Sequence, residues 1–171
     1  FISIEEVTAA CPKVSKTHIE MLKEAGADTG YVETLDGASG HAVIQIDESG
    51  QNNIIICGGT NRKITREYIS SVLDHFGKGD LILLQNEVSN IDFAMEEAKK
   101  RGLQVAFNPS PADEGVFLCN LELVDYFILN EVEGRILAGT DSEEPAPILK
   151  ALREKYKDAA FVLTLGDQGA W

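Results

Sequence analysis

No apolar run in this 171-residue chain approaches the roughly 20 residues needed to cross a bilayer; Ile54 to Cys57 and Leu81 to Leu84 are among the longest. No membrane span is expected. Positive charge is scarce: 15 Lys and Arg stand against 28 Asp and Glu, a formal net charge of −13. Such a balance repels the nucleic-acid backbone and anionic lipid alike, so neither is an expected partner. Cysteine is scarce too. Cys11, Cys57 and Cys119 form no C-x-x-C pair and cannot all be joined to one another, so they read as buried thiols in a reducing cytoplasm. His18, His41 and His75 have no metal-ligand spacing.

Several motifs are also missing. The chain has no G-x-x-x-x-G-K-[ST], no G-x-G-x-x-G and no nucleophile elbow, which leaves a Walker-type NTPase, a dinucleotide-binding dehydrogenase and an α/β-hydrolase without support. Glu5 and Glu6 interrupt what would otherwise be an apolar leader. The first residue is Phe1 rather than Met, and Trp171 closely follows a strand-like run, so the expectation is a piece of a longer product or its ordered residues.

What is present suffices for a core, with 44% hydrophobic and 25% charged residues, the balance of a soluble globular protein. Ile91, Ala94, Met95 and Ala98 recur at helical spacing opposite Glu96, Glu97, Lys99 and Lys100, and Gly102 closes the stripe. The short runs Leu81 to Leu84 and Val105 to Phe107 flank it and read as buried parallel strands. The cycle repeats with a strand at Tyr126 to Leu129 and helices at about Glu131 to Leu137 and Pro147 to Tyr156. A last strand follows at Ala160 to Leu165. This βαβ succession predicts an α/β layered domain.

The first third is different. Ala42, Ile44 and Ile46 alternate with Val43, Gln45 and Asp47, and a second strand runs from Asn53 to Cys57 after Glu48-Ser49-Gly50. The pattern predicts a hairpin with one mainly apolar face, which needs a cover because two strands alone are marginal in water. Further helices are expected around Ile19 to Ala25, closed by Gly26, and around Ile64 to Phe76.

Asn130-Glu131-Val132-Glu133 opens a helix at the carboxyl end of a strand, where open α/β sheets bind ligands. Carboxylates there suit a hydrated Mg2+, but a cap and a helix-dipole partner would look the same. The glycines of Thr164-Leu165-Gly166-Asp167-Gln168-Gly169 allow a phosphate or nucleotide ring to approach the backbone, or simply make a turn. Glu87, in Gln85-Asn86-Glu87, could accept hydrogen bonds from a polyol or be merely solvated. Asn108-Pro109-Ser110-Pro111 reads as a stiff turn, and Gly58-Gly59-Thr60-Asn61 as a site wall or a plain loop.

Taken in order, Leu22-Lys23-Glu24-Ala25-Gly26-Ala27-Asp28-Thr29, Ser39-Gly40-His41-Ala42, Gly58-Gly59-Thr60-Asn61, Gln85-Asn86-Glu87, Asn108-Pro109-Ser110-Pro111, Asn130-Glu131-Val132-Glu133, Leu137-Ala138-Gly139 and Thr164-Leu165-Gly166 resemble the ribokinase-like (PfkB) family of carbohydrate kinases. The resemblance implies a partial ribokinase-like α/β domain over 16–171, a central, mainly parallel sheet flanked by helices, with a small β lid whose hairpin lies at about 39–58. Residues 1–15 stay unassigned or lead into the lid. It further implies that Glu87 and Ala42 meet the sugar, that Asn130, Thr164 and Gly166 serve the nucleotide and its phosphates, and that Glu133 holds Mg2+ through water. ATP is the implied cosubstrate, ribose the first expected acceptor, a monovalent cation an optional activator, and a homodimer through the lid the expected assembly. The family's catalytic Asp, carried in a Gly-Ala-Gly-Asp-like turn, has no match here, so the base is expected outside these residues. A noncatalytic sugar-binding or dimerisation module of the same descent is the alternative.

Overall fold

The computed structural model describes residues 18–46 and 52–171. Residues 1–15, with Cys11, and the turn Glu48-Ser49-Gly50 lie outside the described residues. The chain divides into two compact units, Phe1–Ile64 and Thr65–Trp171.

In the first unit a helical stretch, α1, covers 18–24, and Gly26 follows it at φ +85°, a conformation glycine adopts without a Cβ penalty. Strands β1 (His41–Ile46) and β2 (Asn52–Cys57) form a two-stranded antiparallel sheet in which Ala42 faces Ile56 and Ile44 faces Ile54. The same register pairs Val43 with Ile55, so the second face is apolar too, a correction to the single apolar face expected from the pattern. Ile44 and Ile55 are exposed at 59% and 55%. Cys57, at the end of β2, is exposed as well, overturning its assignment as a buried thiol. Next comes a 3-10 turn at Gly59–Lys63. There Gly59 has φ +49° and a Cβ on it would strike the Ala38 carbonyl and sit 2.7 Å from the Ser39 carbonyl carbon, so no larger residue fits unstrained.

The second unit holds a four-stranded parallel sheet in the order β3 (Leu81–Gln85), β4 (Gln104–Asn108), β5 (Tyr126–Asn130) and β6 (Ala160–Thr164). Helix α2 (Arg66–Leu73) starts where the Thr65 side chain accepts the Tyr68 amide at 3.1 Å. Helix α3 (Ile91–Lys100) buries the expected stripe of Ile91, Ala94, Met95 and Ala98, and Gly102 ends it at φ +82°. Helices α4 (Glu131–Ala138) and α5 (Pro145–Lys155) together span the connection from β5 to β6. Two 3-10 turns, Glu114–Leu118 and Leu121–Leu123, span the connection from β4 to β5, where no helical period is visible in the sequence.

One face of the sheet is the core. Phe107, Phe127, Leu129 and Leu163 are buried there, and the Phe127 ring stacks on Phe161 at 5.4 Å and tilts against Tyr156 at 5.1 Å. On the other face Leu81, Leu83 and Val162 remain exposed, Leu83 at 62%. The strands therefore depart from the doubly buried reading of their apolar runs. Strands that neighbour one another in chain order, joined by right-handed crossovers, send their connections to the same side.

Candidate functional site

Because all four strands of the second unit are parallel, their carboxyl ends share one edge of the sheet, and the turns leaving them carry the polar residues singled out in the sequence. At about 4.8 Å between neighbours, the tips of β3 and β6 stand about 14 Å apart. That is enough for a small acceptor and a phosphate chain to lie side by side. The edge offers Gln85, Asn86 and Glu87 after β3, Asn108 to Pro111 after β4, Asn130 to Glu133 after β5, and Thr164 to Gly166 after β6.

Asn130 ends β5 in extended conformation and is the N-cap of α4. Its side-chain oxygen accepts the Glu133 amide at 2.9 Å, while Glu133 Oε2 accepts the Asn130 amide at 2.9 Å, a reciprocal capping box. Glu133 is 5% exposed, and the bond to the Asn130 amide engages one of its two carboxylate oxygens, Oε2. One residue on, Gly134 lets α4 press on the core: a Cβ there would lie 2.9 Å from Leu163 Cδ1 and 3.0 Å from Ile148 Cγ2.

Across the β5–β6 pair, Asn130 is in register with Thr164, whose hydroxyl donates to the Leu129 carbonyl at 3.2 Å. The chain then turns through a 3-10 segment at Gly166–Gln168 and comes back so that Trp171 exchanges backbone hydrogen bonds with Leu163 at 2.9 Å. Gly166 sits at φ +56° with open space where a Cβ would stand, so its backbone is accessible to a ligand.

At the other end of the edge Glu87 is half-buried and its neighbour Asn86 is buried. The Asn86 amide nitrogen donates to the Pro111 carbonyl at 2.7 Å and to Asp113 Oδ1 at 2.9 Å. Asp113 Oδ1 also accepts the Gly115 amide at 2.9 Å and so caps the first 3-10 turn. Between these points Asn108 Oδ1 accepts the Ser110 amide at 2.9 Å. The link from Asn86 to Asp113 spans 27 residues of chain and has no signature in the sequence.

The edge thus brings together Glu87, Asn130, Glu133, Thr164 and Gly166. Ala42 belongs to the first unit, exposed on the face of β1 that also carries Ile44. The donors suit a hydrated Mg2+, which keeps most of its waters and needs one or two carboxylates, better than a fully protein-built cage. Among the described residues no three His, Cys, Asp or Glu gather as a metal cluster, and Glu133 presents a single oriented carboxylate. No described helix is long and apolar enough to cross a membrane.

A family model described as pfkB family carbohydrate kinase matches residues 12–171. The chain is 35% identical over 169 residues to a ribokinase of Staphylococcus aureus, covering 90% of this chain and 52% of that protein. It is 32% identical over 157 residues to a deoxyribokinase of Salmonella typhi, covering 89% and 51%. Among solved structures, the ribokinase of Cryptococcus neoformans in complex with ADP superposes with a TM-score of 0.65 at 25% identity, covering 89% of this chain and 53% of that one. The chain spans about half the length of the curated relatives it matches.

Proposed function

Since the chain belongs to the pfkB family of carbohydrate kinases, we propose that the full-length protein transfers the γ-phosphoryl group of ATP to a sugar hydroxyl, with ribose as the acceptor. The observation that carries this reading is the single sheet edge on which Glu87, Asn130, Glu133 and Thr164 all lie. Deoxyribose is the second acceptor to consider, because a deoxyribokinase matches about as well as the ribokinases do.

In this proposal Glu87 accepts hydrogen bonds from the sugar hydroxyls at the β3 end, and Thr164 and Gly166 flank the nucleotide at the β6 end. Asn130 and Glu133 lie between them, beside the phosphates. The capping box fixes the Glu133 carboxylate so that one oxygen is spent on the Asn130 amide and the other is left to hold Mg2+ through water. When bound, Mg2+ offsets the charge of the triphosphate, an anion that a chain of net charge −13 would otherwise repel. Phosphoryl transfer asks little covalent chemistry of the protein; positioning and electrostatic stabilisation do most of the catalysis. The base that takes the hydroxyl proton is assigned to none of these residues, since no Gly-Ala-Gly-Asp-like turn occurs between Phe1 and Trp171.

The β1–β2 ribbon, within the stretch at about 39–58, is proposed as the lid. Ala42 packs over the sugar from one face, and the opposite face, with Val43 and Ile55, joins a second copy in a homodimer. Activation by a monovalent cation and a cytoplasmic location complete the proposal.

The test is phosphate transfer by the purified full-length product. Turnover of ribose with ATP that vanishes on chelation of Mg2+ is the expected result. No transfer to any of a panel of pentoses, hexoses and nucleosides would refute an enzymatic role, and sugar binding without turnover would favour the noncatalytic module.

A further inference from the structure

Asn86 and Glu133 are the polar side chains buried among the described residues, and the proposed chemistry uses only the second. Asn86 is 7% exposed and spends both hydrogens of its amide, one on the Pro111 carbonyl and one on Asp113 Oδ1. A primary amide of this length is well matched to that task. Leucine has nearly the same shape and no donor; aspartate would set an oxygen against a carbonyl and a second carboxylate; glutamine is a methylene too long.

We propose that Asn86 is a positioning residue for Glu87, holding the turn after β3 to the loop after β4 so that the carboxylate meets the sugar in a fixed place. The inference rests on the proposed sugar site. It follows from where the tether is attached. Glu87 lies in the turn that leaves β3, outside the sheet ladder, which ends at the Gln85–Asn108 pair. Beyond that pair, Asn86 ties the turn to the loop that leaves the neighbouring strand. Asp113 is itself fixed by its bond to the Gly115 amide, so the tether ends on an ordered 3-10 turn. Burial keeps water from replacing these bonds, and a displaced binding group loses far more than its own hydrogen bond because geometry sets the effective concentration of reacting groups.

The experiment is steady-state kinetics on the full-length product. Asn86→Leu is expected to raise the sugar KM about tenfold, with kcat and the ATP KM within about twofold of wild type. Asp113→Ala is expected to do the same, and Asp113→Asn, which keeps the accepting oxygen, to restore the wild-type sugar KM. Asn86→Leu combined with Asp113→Ala should be no worse than the poorer single variant, as befits two ends of one link. An active wild type whose sugar KM is unchanged in Asn86→Leu overturns the inference alone, as do losses that fall equally on sugar and ATP or that add in the double variant. A wild type that phosphorylates no sugar overturns the kinase reading and this inference with it.

Discussion

Glu133 carries two duties, as a helix cap and as the proposed holder of hydrated Mg2+, and two substitutions separate them. Glu133→Gln keeps an oxygen for the Asn130 amide, whose bond is now 2.9 Å, but removes the charge. It should cost about 1 kcal/mol, from a weaker neutral bond and the lost interaction with the helix dipole. Glu133→Ala also leaves the Asn130 amide without its acceptor, raising the loss to about 2–3 kcal/mol. Both remain below the total of about 5–15 kcal/mol that a domain has to lose, so both variants should fold. Urea denaturation of the full-length product measures this ladder of stability. Activity should not follow it. Losing a carboxylate that orients a metal through water typically costs about 10–100-fold in metal affinity or activity. The Mg2+ concentration for half-maximal rate should therefore rise by that factor in Glu133→Gln, the milder variant structurally. If Glu133→Gln keeps the wild-type Mg2+ dependence while Glu133→Ala loses stability, the carboxylate is a cap and nothing more.

Other consequences are open to simpler measurements. Phe127→Ala removes the ring that meets both Phe161 and Tyr156 and should cost about 3–5 kcal/mol, read as a lower urea midpoint; a loss under about 1 kcal/mol would contradict the placement of the core. Hydrogen bonds from Lys100 and Arg101 hold the Glu97 carboxyl below its ordinary value of 4.5. The stability they supply is fully present above pH 4.5 and fades as pH falls through the lower folded value, so Glu97→Gln should flatten the decline of stability in that window. Cys57 is exposed, whereas burial, with Asp92 and Asp113 nearby, pushes the Cys119 thiol up. Iodoacetamide at neutral pH should therefore label Cys119 far more slowly in the folded protein than in urea by mass spectrometry; equal rates would contradict the placement of Cys119.

The secondary structure was legible wherever a period survives over several residues. Ile91 to Ala98 announces α3, and Gly102 and Gly139 mark helix ends at positive φ. The two 3-10 turns between β4 and β5 are too short to show a period, and nothing in the sequence sets the buried anchors Val116 and Leu121 apart from exposed apolar neighbours such as Phe117 and Leu118. Sidedness was hidden for a different reason. Leu83 and Leu84 are equally apolar, yet one is exposed and the other buried, a distinction set by strand order rather than by composition. The Asn86 link is of the same kind, because a bond across 27 residues exists only once two loops have met.

The candidate site shows best how sequence and geometry divide the argument. The spacing of Asn130 and Glu133 admits a cap and a ligand set, and by composition these compete. In the structure the cap consumes one carboxylate oxygen and the Asn130 side-chain oxygen, and by doing so it fixes the direction of the oxygen that remains. A carboxylate that is 5% exposed and already tied to the backbone loses little further freedom when it takes a ligand. Capping is therefore compatible with the proposed metal role and prepares for it. A glutamate free to rotate at the same position would have to be ordered at the moment of binding. That difference also makes Glu133→Gln the informative substitution, since it preserves the order and removes only the charge.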